Sequence, residues 1–186
     1  MAGTEIGDVW RAVEQARAGL PVTAEAEKVA ESMVRLLSRW QPADIAAFDR
    51  PVRELLAVSY RSDLWAAAYI INGGASDDGF DYFRGWLIAQ GRDTFERALA
   101  DPDSLAGHPA VVAAAAEGRD DLEGEDILGV AWQAYRDVTG ADGLPRPVDP
   151  VALPDLDPDW DFDFDDSAEM RRRLPRLAAL HDYAEG

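Results

Sequence analysis

Eight consecutive residues, Leu64 to Ile71, are apolar or aromatic without a polar break. A helix that is apolar on every face must be covered on every face. The rest of the chain therefore has to supply neighbours all round this segment. Ser62 reads as its N-cap, because a serine hydroxyl accepts from a free N–H of the first turn. Asp63 places a negative charge where the helix dipole favours it. Asn72-Gly73-Gly74 ends the helix, since glycine takes the left-handed C-terminal conformation at little cost.

A second helix begins at Ser76, Asp77 or Asp78, runs to about Gln90 and stops at Gly91. Phe80, Phe83, Leu87 and Gln90 follow one line of helical spacing, and Tyr82, Trp86 and Ala89 a second. The remaining stripe carries Asp77, Asp81, Arg84 and Ile88. Asp81 and Arg84 are three apart and pair; Asp77 and Asp81 are four apart and repel. Charges on a mostly buried helix must be partnered. The stretch Ser59–Leu105, which holds both helices, has two of the six tryptophans and three of the five tyrosines. Function is expected there.

The other segments also read as helices. Ile6 to Ala18 presents Ile6, Val9, Trp10 and Val13 on one face. Thr23 caps a helix to about Trp40, with Val29, Met33, Leu36, Leu37 and Trp40 inward. Pro42 suits the first turn of the next helix, which reaches towards Tyr60 with a kink or break expected at Pro51. A short helix holds Phe95, Ala98 and Leu99, and Asp101-Pro102 closes it. Val111–Glu117 is helical, 118–124 is a polar loop, and one helix from Glu125 or Asp126 runs through Trp132 and Tyr135 to Gly140. No run of period two suggests a strand.

The composition changes between Asp142 and Asp166. Five prolines forbid a continuous helix, and nine aspartates face Arg146 alone. Trp160, Phe162 and Phe164 alternate with aspartates there. Disordered chain rarely carries three large aromatics, so these rings are expected to dock on the body. Asp166 or Ser167 caps a last helix, weakened at Pro175. The expected organisation is a helical domain over 1–140, an acidic irregular segment over 141–166 and a C-terminal helix over 167–186. The fold class is all-α, with that irregular segment wrapping a single multi-helix domain.

The chain has 186 residues and a formal charge of −18. Such acidity disfavours nucleic acid and anionic membranes as partners and favours a basic protein; its plainest role is solubility. The absence of cysteine excludes disulfides, thiolate catalysis and cysteine zinc sites. No apolar run reaches membrane-spanning length and the N-terminus lacks a signal-peptide pattern, so the expected location is cytoplasmic. One lysine, Lys28, against 17 arginines is the usage of a GC-rich bacterial genome.

No phosphate loop, dinucleotide fingerprint or serine elbow is present. Asp77-Asp78-Gly79-Phe80-Asp81 has the D-D-x-x-D spacing with which helical isoprenoid synthases hold magnesium and a diphosphate. A second acidic motif on another helix is missing, so Asp77 and Asp78 read as capping groups. The aspartates of 157–169 fail the calcium-loop pattern. His108 and His181 read as surface or capping residues. No metal site and no cofactor are expected. If the aromatic belt lines a pocket, its candidate ligand-binding residues are Arg61, Trp65, Tyr69, Asn72, Asp77, Asp78, Asp81, Tyr82, Arg84 and Trp86.

Several of these residues also carry a family resemblance. Arg61, Asp63-Leu64-Trp65, Ala67-Ala68-Tyr69, Ile71-Asn72-Gly73-Gly74, Ser76-Asp77-Asp78-Gly79-Phe80, Tyr82-Phe83-Arg84 and Trp86-Leu87-Ile88 resemble the signature of the bacterial family called domain of unknown function 4240. The resemblance extends from about Ile6 to Gly140. It implies that Ala75 stands where the family commonly has cysteine. It brings no activity with it. Three functions are therefore carried forward: a binding or regulatory module acting through protein contacts, immunity- or antitoxin-like; a small-ligand or metal-dependent enzyme using Asp77, Asp78, Asp81 and Arg84; and an acidic nucleic-acid mimic built on 155–166.

Overall fold

The computed structural model describes residues 5–145 and 150–181. Arg146, Pro147 and Asp149 of the acidic segment, the end of the chain after His181, and residues 1–4 lie outside the described residues. Among the described residues the regular elements are helices, with no strand.

Helices α1 (Ile6–Arg17), α2 (Ala26–Leu37), α3 (Pro42–Val58), α4 (Ser62–Ile71), α5 (Asp77–Ala89) and α6 (Arg92–Ala100) lead to a 3₁₀ turn, Pro102–Gly107. Then come α7 (Pro109–Glu117), α8 (Glu125–Leu128) and α9 (Val130–Thr139). The C-terminal part has one 3₁₀ turn, Pro158–Trp160, and helices α10 (Ser167–Arg173) and α11 (Pro175–Leu180). Helix α2 lies against α1, α8 and α9; α3 lies against α1 and α9. Helix α11 returns to cover α4 and the first 3₁₀ turn.

The apolar run behaves as its composition demands. Leu64, Ala66, Ala67, Ala68, Ile70 and Ile71 are buried, and only Trp65 and Tyr69, four apart, reach partly to the surface. Each large aliphatic side chain buried this way stabilises the fold by roughly 1.5–3 kcal/mol. On α5, Phe80, Phe83, Trp86, Leu87 and Ile88 are buried. The Ser76 hydroxyl accepts from the Gly79 N–H at 3.2 Å, so Ser76 is the cap of α5.

The structure corrects several local expectations. Helix α4 starts one residue earlier than a Ser62 cap requires: Arg61 is the N-cap, without a side-chain bond. Ser62 is buried, and its hydroxyl donates instead to the Asp157 carbonyl at 3.3 Å. Helix α2 begins at Ala26, after Glu25, so Thr23 caps nothing. Helix α3 passes Pro51 unbroken with the proline ring buried. The single helix expected after Glu125 is two, interrupted at Gly129. The C-terminal helix is also two, divided at Leu174 where the following Pro175 disfavours helical backbone. Ile6 and Trp132 are each 38% exposed, outside the core.

The loop 118–124 is tied down through its last three residues. Asn72 binds the Leu122 backbone twice: Nδ2 donates to the carbonyl at 3.3 Å, and Oδ1 accepts from the N–H at 3.2 Å. Gly124 N–H donates to the Tyr82 carbonyl at 2.9 Å, laying the loop directly on α5. Among the described residues no helix is long and apolar enough to cross a membrane.

Candidate functional site

The half-exposed edge of α4 forms one wall of a cleft of about 600 Å³. Ser62, Trp65, Tyr69 and Ala75 come from the helical body. The opposite wall is the irregular segment from Leu156 to Phe164, which contributes Trp160, Phe162 and Phe164 together with Asp157, Asp161 and Asp163. The lining has three carboxylates and no basic residue.

Ring packing builds this site. Trp65 stacks on buried Phe80, with centroids 4.7 Å apart and planes 15° apart. The Trp65 indole N–H donates to the Ala75 carbonyl at 2.9 Å, which fixes the ring and the turn after α4 together. Tyr69 meets Phe164 edge-on at 5.6 Å, and Phe164 meets Phe162 edge-on at 5.5 Å. The Tyr69 hydroxyl donates to Asp165 Oδ1 at 2.5 Å. The expected docking of Trp160, Phe162 and Phe164 on the body is thus present: all three are half-buried against the core.

The outer wall is anchored to α10. The Arg173 guanidinium lies over Trp160 and Phe162, 4.6 and 4.9 Å from their centroids. Arg173 and Arg172 both bind Glu169, and these bonds lower the Glu169 carboxyl to about 2. Asp166 accepts from the N–H groups of Ala168 and Glu169, both at 3.1 Å, and so starts α10.

The residues singled out in the sequence do not converge on one place. Trp65 and Tyr69 line the aromatic cleft. Arg61 donates to Asp63 and, at 2.8 Å, to the Leu99 carbonyl, joining α4 to the end of α6. Asn72 holds the 118–124 loop. Tyr82 faces a different cleft beside Glu125, and its hydroxyl donates to Glu125 Oε1 at 3.3 Å. The Glu125 charge raises the Tyr82 phenol above its ordinary value. Trp86 is buried edge-on to His108 at 5.6 Å. Asp81 and Arg84 form the expected pair and line a third cleft. Asp77 and Asp78 are exposed on the first turn of α5 and line none of these clefts. Ser76, not they, accepts the capping bond from Gly79 N–H. Among the described residues, no group of three or more His, Cys, Asp or Glu is placed to hold a metal ion.

Sequence reasoning missed the roles of Ser62, Gly85, Gly124 and Leu122. His108 caps α7 as expected, its Nδ1 accepting from the Ala110 N–H at 3.3 Å, but it is buried and not on the surface. Burial, with Arg17 and Arg97 adding to it, lowers the His108 imidazole to about 4.

The architecture defines a class: an all-helical domain whose aromatic surface stripe is roofed by an acidic, proline-rich strap. The family described as "Protein of unknown function (DUF4240)" matches residues 7–137, and the chain belongs to that family. No curated protein and no solved structure matches the chain. The strap that roofs the aromatic cleft lies beyond the matched residues, whereas Ser62, Trp65, Tyr69 and Ala75 lie within them.

Proposed function

We propose that this protein is a binding module that acts through protein contacts, and that the aromatic cleft receives a basic side chain from its partner. The observation that carries this reading is the cleft lining: an aromatic floor and roof, three carboxylates and no cation. A guanidinium or ammonium over an aromatic face is attracted by the ring quadrupole, by about 0.5–2 kcal/mol depending on desolvation. Carboxylates at the rim add long-range attraction, so encounter with a basic partner is accelerated at low salt. Arg173 supports the reading from within the chain, because Trp160 and Phe162 already carry one guanidinium. A cleft of about 600 Å³ holds one or two side chains, with the strongly acidic surface extending the contact. An immunity- or antitoxin-like role is the form of this function that the small size and charge favour. The same reading keeps the protein in the cytoplasm, where a fold without cysteine loses nothing to reducing conditions.

Calorimetric titration with paired peptides tests this. One peptide presents arginines in a glycine-serine background, and the other has glutamates at the same places. The wild-type chain is expected to bind the arginine peptide alone, more weakly as salt is added. Asp161→Asn/Asp163→Asn is expected to bind it about tenfold more weakly, a change of about 1.4 kcal/mol. Equal binding of both peptides, or of neither, removes the reading.

A further inference from the structure

Helix α4 and the first 3₁₀ turn share a face that the chain covers with its own C-terminal part, and two buried polar groups on that face bond to nothing else. Asp103, on the 3₁₀ turn, is 4% exposed. Among the described residues, every hydrogen bond of its carboxylate comes from the start of α11. Its Oδ2 accepts from the backbone N–H and the Nε–H of Arg176, both at 3.0 Å, and its Oδ1 accepts from the Leu177 N–H at 2.8 Å. Arg176 also donates to Asp101. Ser62, on α4, is 5% exposed, and the one hydrogen bond of its hydroxyl among the described residues goes to the Asp157 carbonyl. Met170, Leu174, Leu177 and Ala178 are buried where α11 lies on α4 and the turn.

This is the chemistry of a bound peptide. An apolar helix face supplies area, and a buried carboxylate recognises two backbone N–H groups and a guanidinium. Ser62 and Asp103 lie within the residues 7–137 that the family matches, whereas the groups that satisfy them lie beyond. The connection between the two parts is loosely built. Residues 143–156 make no hydrogen bond among the described residues. Its described residues are exposed apart from Leu144 and Val151. Four prolines in it favour extended chain.

An empty face would leave the Asp103 carboxylate buried and unpartnered, which is costly. Residues 157–180 therefore leave only as a segment of the same chemistry replaces them, and the segment shown to have that chemistry is the same stretch of another copy. We propose that residues 157–180 are an exchangeable ligand of the α4 face, and that two copies of this chain pair by trading them. Each contact made within one chain is then made again between two. The tether favours the single closed chain in dilute solution. Exchange prevails only as the chain approaches the effective concentration of its own tethered segment, about 1 mM. This pairing does not depend on the aromatic cleft receiving a basic side chain.

Sedimentation equilibrium of the full chain tests it, on samples warmed and cooled to let the segments exchange. The mass is expected to rise from that of one chain towards that of two as the concentration reaches about 1 mM. A free peptide of residues 157–180 in excess is expected to return the mass to one chain plus peptide. The same peptide carrying Arg176→Gln is expected to need about tenfold more to do so. The chain itself stays wild type throughout, so no outcome reflects a misfolded variant. A mass that stays at one chain, a doubled mass that the peptide does not lower, or equal potency of the two peptides overturns the proposal.

Discussion

Gly85 and Gly124 bring two stretches of backbone into contact: a Cβ on Gly85 would stand 2.2 Å from the Gly124 carbonyl oxygen, and one on Gly124 would stand 2.4 Å from the Trp86 nitrogen. The Gly124 N–H bond to the Tyr82 carbonyl holds the approach closed. This contact seats the 118–124 loop and α8 on the buried helix α5. Backbone cannot yield as a flexible side chain does. Gly85→Ala is therefore expected to destabilise the fold by about 3 kcal/mol, the upper part of the range for overpacking. Gly129→Ala, whose nearest neighbour would be 3.8 Å away, should change stability by less than about 1 kcal/mol. Denaturant unfolding of the two variants measures the difference.

The start of α5 separates a cap from charges near it. Ser76 accepts the capping bond, and Asp77 and Asp78 are exposed beside it. Ser76→Ala is expected to cost about 1 kcal/mol. Asp77→Asn and Asp78→Asn lose only an exposed charge–dipole interaction, about 0.3–1 kcal/mol at low salt and less when salt is added. Thermal melts at two ionic strengths distinguish the cap, which is insensitive to salt, from the charges.

His108 gives the fold a specific acid sensitivity. Its imidazole is lowered from 6.5 to about 4 by burial and by Arg17 and Arg97. The unfolded chain therefore binds this proton at a higher pH than the folded one does. Stability is fully present above about 6.5, falls as the pH drops, and stops falling from this cause below about 4. The slope inside that window is at most about 1.4 kcal/mol per pH unit. His108→Asn retains a side chain suited to capping α7 and is expected to flatten the curve between those limits. An unchanged slope in the variant would assign the acid sensitivity to other groups.

Ala75 offers a direct reporter on the aromatic cleft. It is half-buried, lines the cleft and gives its carbonyl to Trp65. The chain contains no cysteine, so Ala75→Cys creates a single thiol. The variant is expected to fold with stability within about 1 kcal/mol of wild type. A maleimide dye should label it, and the arginine peptide should slow that labelling. Labelling unaffected by a saturating peptide would place the peptide elsewhere on the surface.

Much of this fold is written in local pattern. Continuous apolarity from Leu64 to Ile71 dictated a buried helix, and the i,i+3 spacing of Asp81 and Arg84 dictated their pair. Trp160, Phe162 and Phe164 announced a docked strap because exposed chain gains nothing from such rings. Other features depend on partners far away in the chain. Ser62 has the form of a cap, but its hydroxyl is taken by Asp157, so the local motif was misleading. The spacing from Ile127 to Tyr135 continues across Gly129, and the break there is not visible in the periodicity. Gly85 did carry a signal: a glycine inside a buried helix costs about 1 kcal/mol against alanine and marks a close approach. The candidate site was legible only by half. Helix phase placed Trp65 and Tyr69 on one edge, but nothing local specifies that residues 156–164 cover them. The same limit scattered the rest: Arg61 and Asn72 cap opposite ends of α4, Tyr82 and Trp86 lie on α5, and each meets a different neighbour.

The aromatic cleft has one wall of regular helix and one of strap, and the two walls answer to different constraints. Trp65 and Tyr69 belong to a helix whose other faces are sealed in the core, so their places tolerate little change. The strap is held by its rings, by Arg173 over Trp160 and Phe162, and by bonds from Ser62 and Tyr69, and between Leu156 and Phe164 its only regular element is the 3₁₀ turn. On the proposed reading of the cleft, partner choice lies in a replaceable part: a new strap on the same helix edge amounts to a new specificity.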